Sequence, residues 1–220
     1  MPKFYHSDSD KEGTRRAPGR PKAEDRGTPV RDLVLQAASV LFMEQGYEAV
    51  SLNQIAERCG VTKASVYYHF TSKPVLFTAS VTDMLRKAKA GTERLLESGG
   101  TLRERLLRIA QVRLARSQHD EFETLMREAS HWLTAEQKNE IREAEDHLHQ
   151  LLAVHFRKAL DAGEVKKGNP LLMAHLYTAL LMIGNREAAQ GMYGSIDELA
   201  DQMMDLFWSG IDSVRPLDQA

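Results

Sequence analysis

Apolar residues recur along this chain with a helical period almost from end to end. The segment 134–161 shows it plainly, with Ile141, Ala144, Leu148, Leu151, Leu152, His155 and Ala159 on one stripe. Start signals punctuate the pattern. Ser51 with Gln54, Thr101 with Glu104, Thr134 with Gln137 and Ser195 with Glu198 have capping-box spacing, and Asp120 with Glu123 is a looser version. Thr28-Pro29 and Asn169-Pro170 pair a cap residue with a proline suited to the first helical turn. Gly46, Gly60, Gly99-Gly100, Gly163, Gly191 and Pro216 mark stops. Together they predict an all-α fold of nine helices, at 29–45, 51–58, 62–69, 72–97, 101–118, 120–132, 134–161, 170–190 and 195–213. No segment alternates as a strand would, and no internal repeat is visible. The first three helices are short and the later ones long. The expected division is a two-domain one: an arm over 1–27, a small module over 28–80 and a larger helical body over 81–215.

Composition changes little in this picture. Hydrophobic residues are 42% and charged residues 27% of 220, values that suit a globular chain rather than a disordered one. No apolar run reaches the roughly 20 residues that span a bilayer, and residues 1–22 have no apolar core of a signal peptide. The single cysteine, Cys59, excludes an internal disulfide framework. A cytoplasmic protein without membrane contact is therefore expected. Charge is more informative by position than in sum. The net value is −2, yet between residues 15 and 31 six basic residues face two acidic ones, a local balance of 6 − 2 = +4. A basic end on an acidic body focuses phosphate binding at one place.

The chemistry-bearing stretch is 49–76, AVSLNQIAERCGVTKASVYYHFTSKPVL. A capped helix with Leu52, Ile55 and Ala56 inward is followed by Cys59-Gly60-Val61, a tight turn in which Gly60 tolerates a left-handed conformation. Thr62 is placed to cap a second short helix rich in polar and aromatic groups, KASVYYH. Two short helices across a glycine turn are how a helix-turn-helix presents a recognition helix to the major groove. Ser72-Lys73 then opens a further helix, whose free amides and lysine suit a phosphate. Taken singly, Tyr67, Tyr68 and Phe70 would be ordinary core aromatics; the turn, the caps and Lys73 favour the DNA-reading alternative.

On SLNQIA, CGV, YYHF and the following SK, the segment resembles the DNA-binding domain of the TetR family of transcriptional regulators, with Ala37, Ala38, Leu41 and Phe42 leading into Gly46-Tyr47 as its first helix. The resemblance covers residues 29–76. Ala64 stands where many relatives have glycine, and Pro74-Val75 replaces a commonly acidic pair. The resemblance implies that Thr62, Lys63 and Ser65 face groove edges. It also implies that Tyr67 and His69 touch phosphate, that Tyr68 reads a thymine methyl or touches phosphate, and that Ser51 and Lys73 anchor the backbone. Val66 and Phe70 are expected in the core. In the arm, Pro18-Gly19-Arg20-Pro21-Lys22 resembles an AT-hook core, which would lay Arg20 in a narrow minor groove.

The family further implies a homodimer through the last two helices, whose apolar faces carry Leu171, Leu172, Leu176, Leu180 and Ile183, then Leu199, Met203, Leu206, Phe207 and Ile211. A palindromic double-stranded DNA site follows from such symmetry. The body is expected to hold a small hydrophobic effector, with Met84, Ile109, Phe122, Met126, Trp132, Leu151, His155 and Tyr177 as candidate lining. The function expected is a ligand-released repressor; the alternative is an architectural or adaptor DNA-binding dimer whose body binds a protein. No nucleophile–base pair, glycine phosphate loop or metal-ligand spacing is seen, so no enzyme activity, cofactor or metal is expected. His147 and His149 diverge on one helix, and Cys59 reads as a small buried apolar residue.

Overall fold

The computed structural model describes residues 28–116, 122–166, 168–184 and 186–212. Ten helices, and no strand, occur among them: α1 (Val30–Ala49), α2 (Leu52–Cys59), α3 (Lys63–His69), α4 (Lys73–Leu96), α5 (Leu102–Arg116), α6 (Phe122–Ala129), α7 (Ala135–Asp161), α8 (Pro170–Gly184), α9 (Glu187–Gln190) and α10 (Ile196–Asp212). The nine expected helices are all represented. The eighth is divided, its last turn being split off as α9, and the sixth stops at Ala129 in a turn rather than running to residue 132. The AT-hook-like arm with Arg20, and Asp120 as a cap, lie outside the described residues.

Local chemistry explains most boundaries. Full capping boxes close on α2 and α7, and Thr101 and Glu104 exchange the same two bonds before α5. Asn169 Oδ1 accepts from the amides of Leu171 and Leu172, so the start of α8 is held without a hydroxyl. At Ser195 only half the box forms, because Glu198 takes the Gly194 amide instead. The expected Thr28 cap shifts by one residue. Pro29 is the N-cap of α1, with no side-chain bond, and its carbonyl accepts from Asp32 and Leu33. Gly60 ends α2 in the left-handed region at φ 66°, where a Cβ would be strained.

The core falls into two hydrophobic clusters. The first gathers Val34, Leu35, Ala38, Leu41 and Phe42 of α1 with Ile55, Val66, Phe70, Leu76 and Phe77. It does not stop at the small module: Leu125 and Ala129 of α6, Leu133, and Ile141 of α7 belong to it. The second joins Leu102, Leu106 and Ile109 of α5 to Leu152 and Phe156 of α7, Tyr177 of α8, and Met203 and Met204 of α10. The helix α4 passes from one to the other, burying Phe77, Val81 and Leu85 in the first and Leu96 in the second.

The α7 stripe differs from expectation in one respect. Phe156 is fully buried, whereas His155 is only half-buried beside Arg105 and Lys158, with Glu93 and Glu97 also near. The stripe turns by about 100° per residue, and the core takes the neighbouring aromatic instead of the imidazole. In the first cluster Phe77 meets Phe42 and Tyr47 edge-on, each at 5.1 Å between centroids. Phe77→Ala should therefore lower unfolding free energy by about 3–5 kcal/mol, read from the urea midpoint at constant slope.

Candidate nucleic-acid interface

The exposed side of α3 is built by its own capping and packing. Thr62 Oγ1 accepts from the Ser65 amide and lies 2.9 Å from Ser65 Oγ, which holds the first turn rigid. Val66 and Phe70 are buried as expected, and this anchors the opposite face outward. Tyr68 is 85% exposed and Tyr67 45% exposed, a costly display of aromatic surface unless a partner covers it. Lys63 Nζ stands 5.6 Å over the Tyr67 ring, and the Arg31 guanidinium 5.7 Å over that of Phe70. His69 is half-buried and packs edge-on against Tyr68 at 5.1 Å.

Ser51, Lys63, Tyr67 and Lys73 line one open hollow of about 520 Å³, together with Asn53, Thr71 and Ser72. The last three were not foreseen, although each lies within two residues of one that was. The hydroxyl of Ser51 serves the α2 capping box and that of Ser72 accepts from Val75, so both rims of the hollow are pinned helix starts. Lys73 has structural work as well. Its ammonium donates to the Glu48 carbonyl at 3.1 Å and stands 4.4 Å above the Tyr47 ring. Burial lowers its pKa, opposed by Glu48. An ammonium has three donors, so the bond to Glu48 leaves it able to meet an anion from the hollow.

Tyr47 is the junction between this surface and the body. Its ring is buried, which pushes the phenol up to about 12, and its amide donates to Glu128 Oε2 of α6 at 3.2 Å. Gly46, at φ 80°, lets α6 approach: a Cβ there would lie 2.8 Å from the same carboxylate oxygen. Cys59 is half-buried, its thiol pointing to the Leu33 carbonyl at 3.5 Å. Burial pushes that thiol's pKa up, the opposite of what a reactive thiolate requires.

The eight residues proposed to line an effector site are not brought together. Met84, Phe122 and Met126 pack on the first cluster, while Ile109, Leu151 and Tyr177 belong to or pack on the second. Trp132 is 58% exposed and stacks toward Tyr47, and His155 lies among charged groups at the body's edge. Tyr177 is buried and its hydroxyl donates to the Leu106 carbonyl at 2.7 Å. Apolar patterning selected residues that face an interior, but it could not tell which interior.

The exposed apolar stripe of α8 is narrower than expected. Leu171, Leu172, Leu176 and Ile183 are on it, with Leu206 of α10 at 73% exposure, whereas Leu199, Met203 and Ile211 are in the chain's own core. Beside that stripe, the rings of His149 on α7 and His175 on α8 stand 3.9 Å apart. Twenty-six residues separate them, so no local spacing reveals the pair. His149 Nε2 lies 3.0 Å from Thr178 Oγ1, whose proton goes to a carbonyl of its own helix, while His149 Nδ1 is buried with no partner. The imidazole therefore donates from Nε2 and keeps a bare lone pair on Nδ1.

A rigid, outward-facing α3 carried on a glycine turn, with a basic and hydroxyl-lined hollow beside it, defines a helix-turn-helix DNA-binding protein. Residues 34–79 match the model of the bacterial regulatory proteins, tetR family. The chain carries the DNA-binding segment of that family over those residues. It is 32% identical over 108 residues to the transcriptional activator FasR of Mycolicibacterium smegmatis, a match covering 49% of this chain and 47% of that protein. It is 40% identical over 52 residues to IcaR, a negative regulator of the biofilm operon icaADBC in Staphylococcus aureus, covering 24% of this chain and 28% of that one. The chain thus spans about half, or less, of the length of the curated relatives it matches. The fold extends further: FadR of Bacillus subtilis, solved in complex with stearoyl-CoA, superposes with a TM-score of 0.63 at 16% identity, covering 82% of this chain and 98% of that one. No helix among the described residues is long and apolar enough to cross a membrane.

Burial, then the neighbouring His175, lowers the His149 pKa, and Asp146 opposes both. Above the ordinary imidazole value, about 6.5, both folded and unfolded forms are neutral and no pH dependence arises. As pH falls through that value the unfolded chain binds the proton first, and stability declines until the folded-state pKa is passed. His155, also lowered by burial, adds to the decline. Urea midpoints at pH 7.5 and 5.0 should show a smaller acid loss for His149→Gln than for the parent chain.

Proposed function

We propose that this regulator is a repressor that grips a palindromic operator as a homodimer through α8 and α10 and releases it on binding a small, largely hydrophobic effector in the body over 81–215. The observation that carries the reading is the 85% exposure of Tyr68 on a helix whose other face is buried. Among its contacts to DNA, Thr62, Lys63 and Ser65 approach base edges. Tyr67, Tyr68 and His69 meet the backbone or a thymine methyl, and Ser51 and Lys73 hold the flanking phosphates. Arg20 of the arm adds a minor-groove contact.

Support for the dimer comes from the exposed leucines of α8 continued by Leu206, an apolar surface that a second copy would cover. Support for an effector comes from the fold, which in the Bacillus subtilis FadR structure accommodates stearoyl-CoA. The candidate contacts remain Met84, Phe122 and Met126 at the first cluster, Ile109, Leu151 and Tyr177 at the second, and Trp132 and His155 outside both. Repression is the favoured sign by kinship with the IcaR head, although the FasR match is to an activator. An effector works only if it binds one spacing of the two heads better than the other. Both α4 and the α6–Tyr47 contact would transmit that preference.

Selection of bound duplexes from a randomised pool tests the reading. A two-fold symmetric motif with half-sites about one DNA turn apart is expected; asymmetric AT-rich enrichment would instead favour an architectural role. On the selected site, Lys73→Ala should reduce the salt-dependence slope by about 1. Tyr68→Ala should weaken binding to that site while leaving unfolding free energy within about 0.5 kcal/mol of the parent.

A further inference from the structure

The outward arc of α8 is apolar except at one position. Leu171, Leu172, Leu176, Ala179, Met182 and Ile183 are exposed on it. At 100° per residue these positions span about 140° of the helix circumference, and position 175 falls between the directions of Leu171 and Ala179. His175 is exposed as well, so it stands inside the apolar arc rather than at its margin. Its ring centroid lies 3.9 Å from that of His149 on α7, with the planes tilted by 42°. His149 supplies no acceptor to it: Nε2 donates to Thr178, and Nδ1 is buried without a hydrogen-bond partner. Among the described residues neither imidazole is in an ion pair. The titratable groups that act on His149 are His175 from α8 and Asp146 from its own helix, with none from α4 or α5. Of the other helices packed on α8, α5 and α10 place their shared charges in one pair, Arg103 with Asp205, that is closed on itself.

With no formal charge when its imidazole is neutral, the arc offers nothing to an acidic or basic partner, whereas a second copy meets it apolar against apolar. The dimer proposed above is isologous, so both copies contribute the same patch and any group on it is present twice. An ordinary imidazole exchanges its proton near pH 6.5, to about that precision. A proton on His175 would add two like charges to one contact, each without a carboxylate partner and each beside an imidazole already committed to Thr178. We propose that the His149–His175 stack makes the α8 dimer contact a pH switch, closed while both rings are neutral and opened by protons on His175. This rests on the reading of α8 and α10 as the dimer surface, and it names how that surface is regulated. The contact favours the neutral ring, so the separated chains bind the proton more readily than the dimer does. Dimer affinity is therefore full above about pH 6.5 and falls as pH drops through that value. A two-fold operator, held by two heads together, would be released by acid with no small molecule bound.

The test is sedimentation equilibrium of the full chain without DNA at pH 7.5, 6.5 and 5.5 and fixed ionic strength, with circular dichroism at each pH to confirm the fold. The parent dimer's dissociation constant should rise about 10- to 100-fold from pH 7.5 to 5.5, the upper figure being the linkage limit for two excluded protons. His175→Gln, which takes no proton, should hold that change within about 3-fold. His175→Leu should do the same and tighten the dimer, because it completes the apolar arc. His175→Lys carries a fixed charge and should dissociate the dimer already at pH 7.5, a result that needs no acid. A parent affinity that is the same at all three pH values would overturn the switch and leave the dimer reading standing. A pH dependence that survives His175→Gln and His175→Leu would overturn the role of the stack, as would a His175→Lys dimer as tight as the parent's. A parent chain that stays monomeric at pH 7.5 at every concentration would overturn the dimer reading, and the proposal with it. Operator selection still reports separately on the DNA-binding head.

Discussion

The buried Tyr47 ring ties α1 to the start of α4, and its amide ties α1 to α6. It sits where α1 ends, under the Lys73 ammonium that begins α4, edge-on to Phe77 and stacked near Phe42 at 5.8 Å. Its amide takes the carboxylate of Glu128 from α6. Three helices thus meet at one residue, and each contact is of a different kind: cation over ring, ring against ring, and amide to carboxylate. The contacts constrain one another. The positive φ at Gly46 favours glycine there, and its bare Cα faces the Glu128 carboxylate, so the bend near the end of α1 and the docking of α6 meet at one residue.

Around that junction the head is rigid in the way a reader of DNA requires. Pinned helix starts at Ser51 and Ser72 rim one hollow, and the start pinned at Thr62 opens the helix whose Lys63 and Tyr67 line it. Preorganisation of this sort lowers the ordering cost of binding. The body is arranged differently. Its interior leaves a polar atom unsatisfied: His149 Nδ1 is buried without a partner.

Much of the fold was legible in the sequence because caps and glycines act locally. Ser51-Gln54 and Thr134-Gln137 need only three residues of context, and they appear in the structure as expected. The exposed face of α3 was legible for the same reason: Tyr68 and Val66 stand two residues apart, about 200° round a helix, which puts one out and one in. What escaped were relations between distant segments. Nothing near Glu128 says that it will meet Tyr47, and His149 and His175 look like unrelated surface histidines. The body's lining residues were apolar by type, yet the two clusters divide them by tertiary position. His155 shows the limit at single-residue scale, since a shift of one position hands the core to Phe156.

The sharing of the first cluster between head and body bears on how such a head can be recombined. Leu125, Ala129, Leu133 and Ile141 form one wall of the compartment that otherwise belongs to α1–α4. A reading head severed near residue 80 would leave that wall behind and open its interior to water. Grafting it onto a foreign body would succeed only where the new host offers a helix with the same small and branched contours, and an acid to meet the Tyr47 amide. Interchangeability here is a property of the seam, and the seam lies well inside what the chain's linear order would assign to the other half.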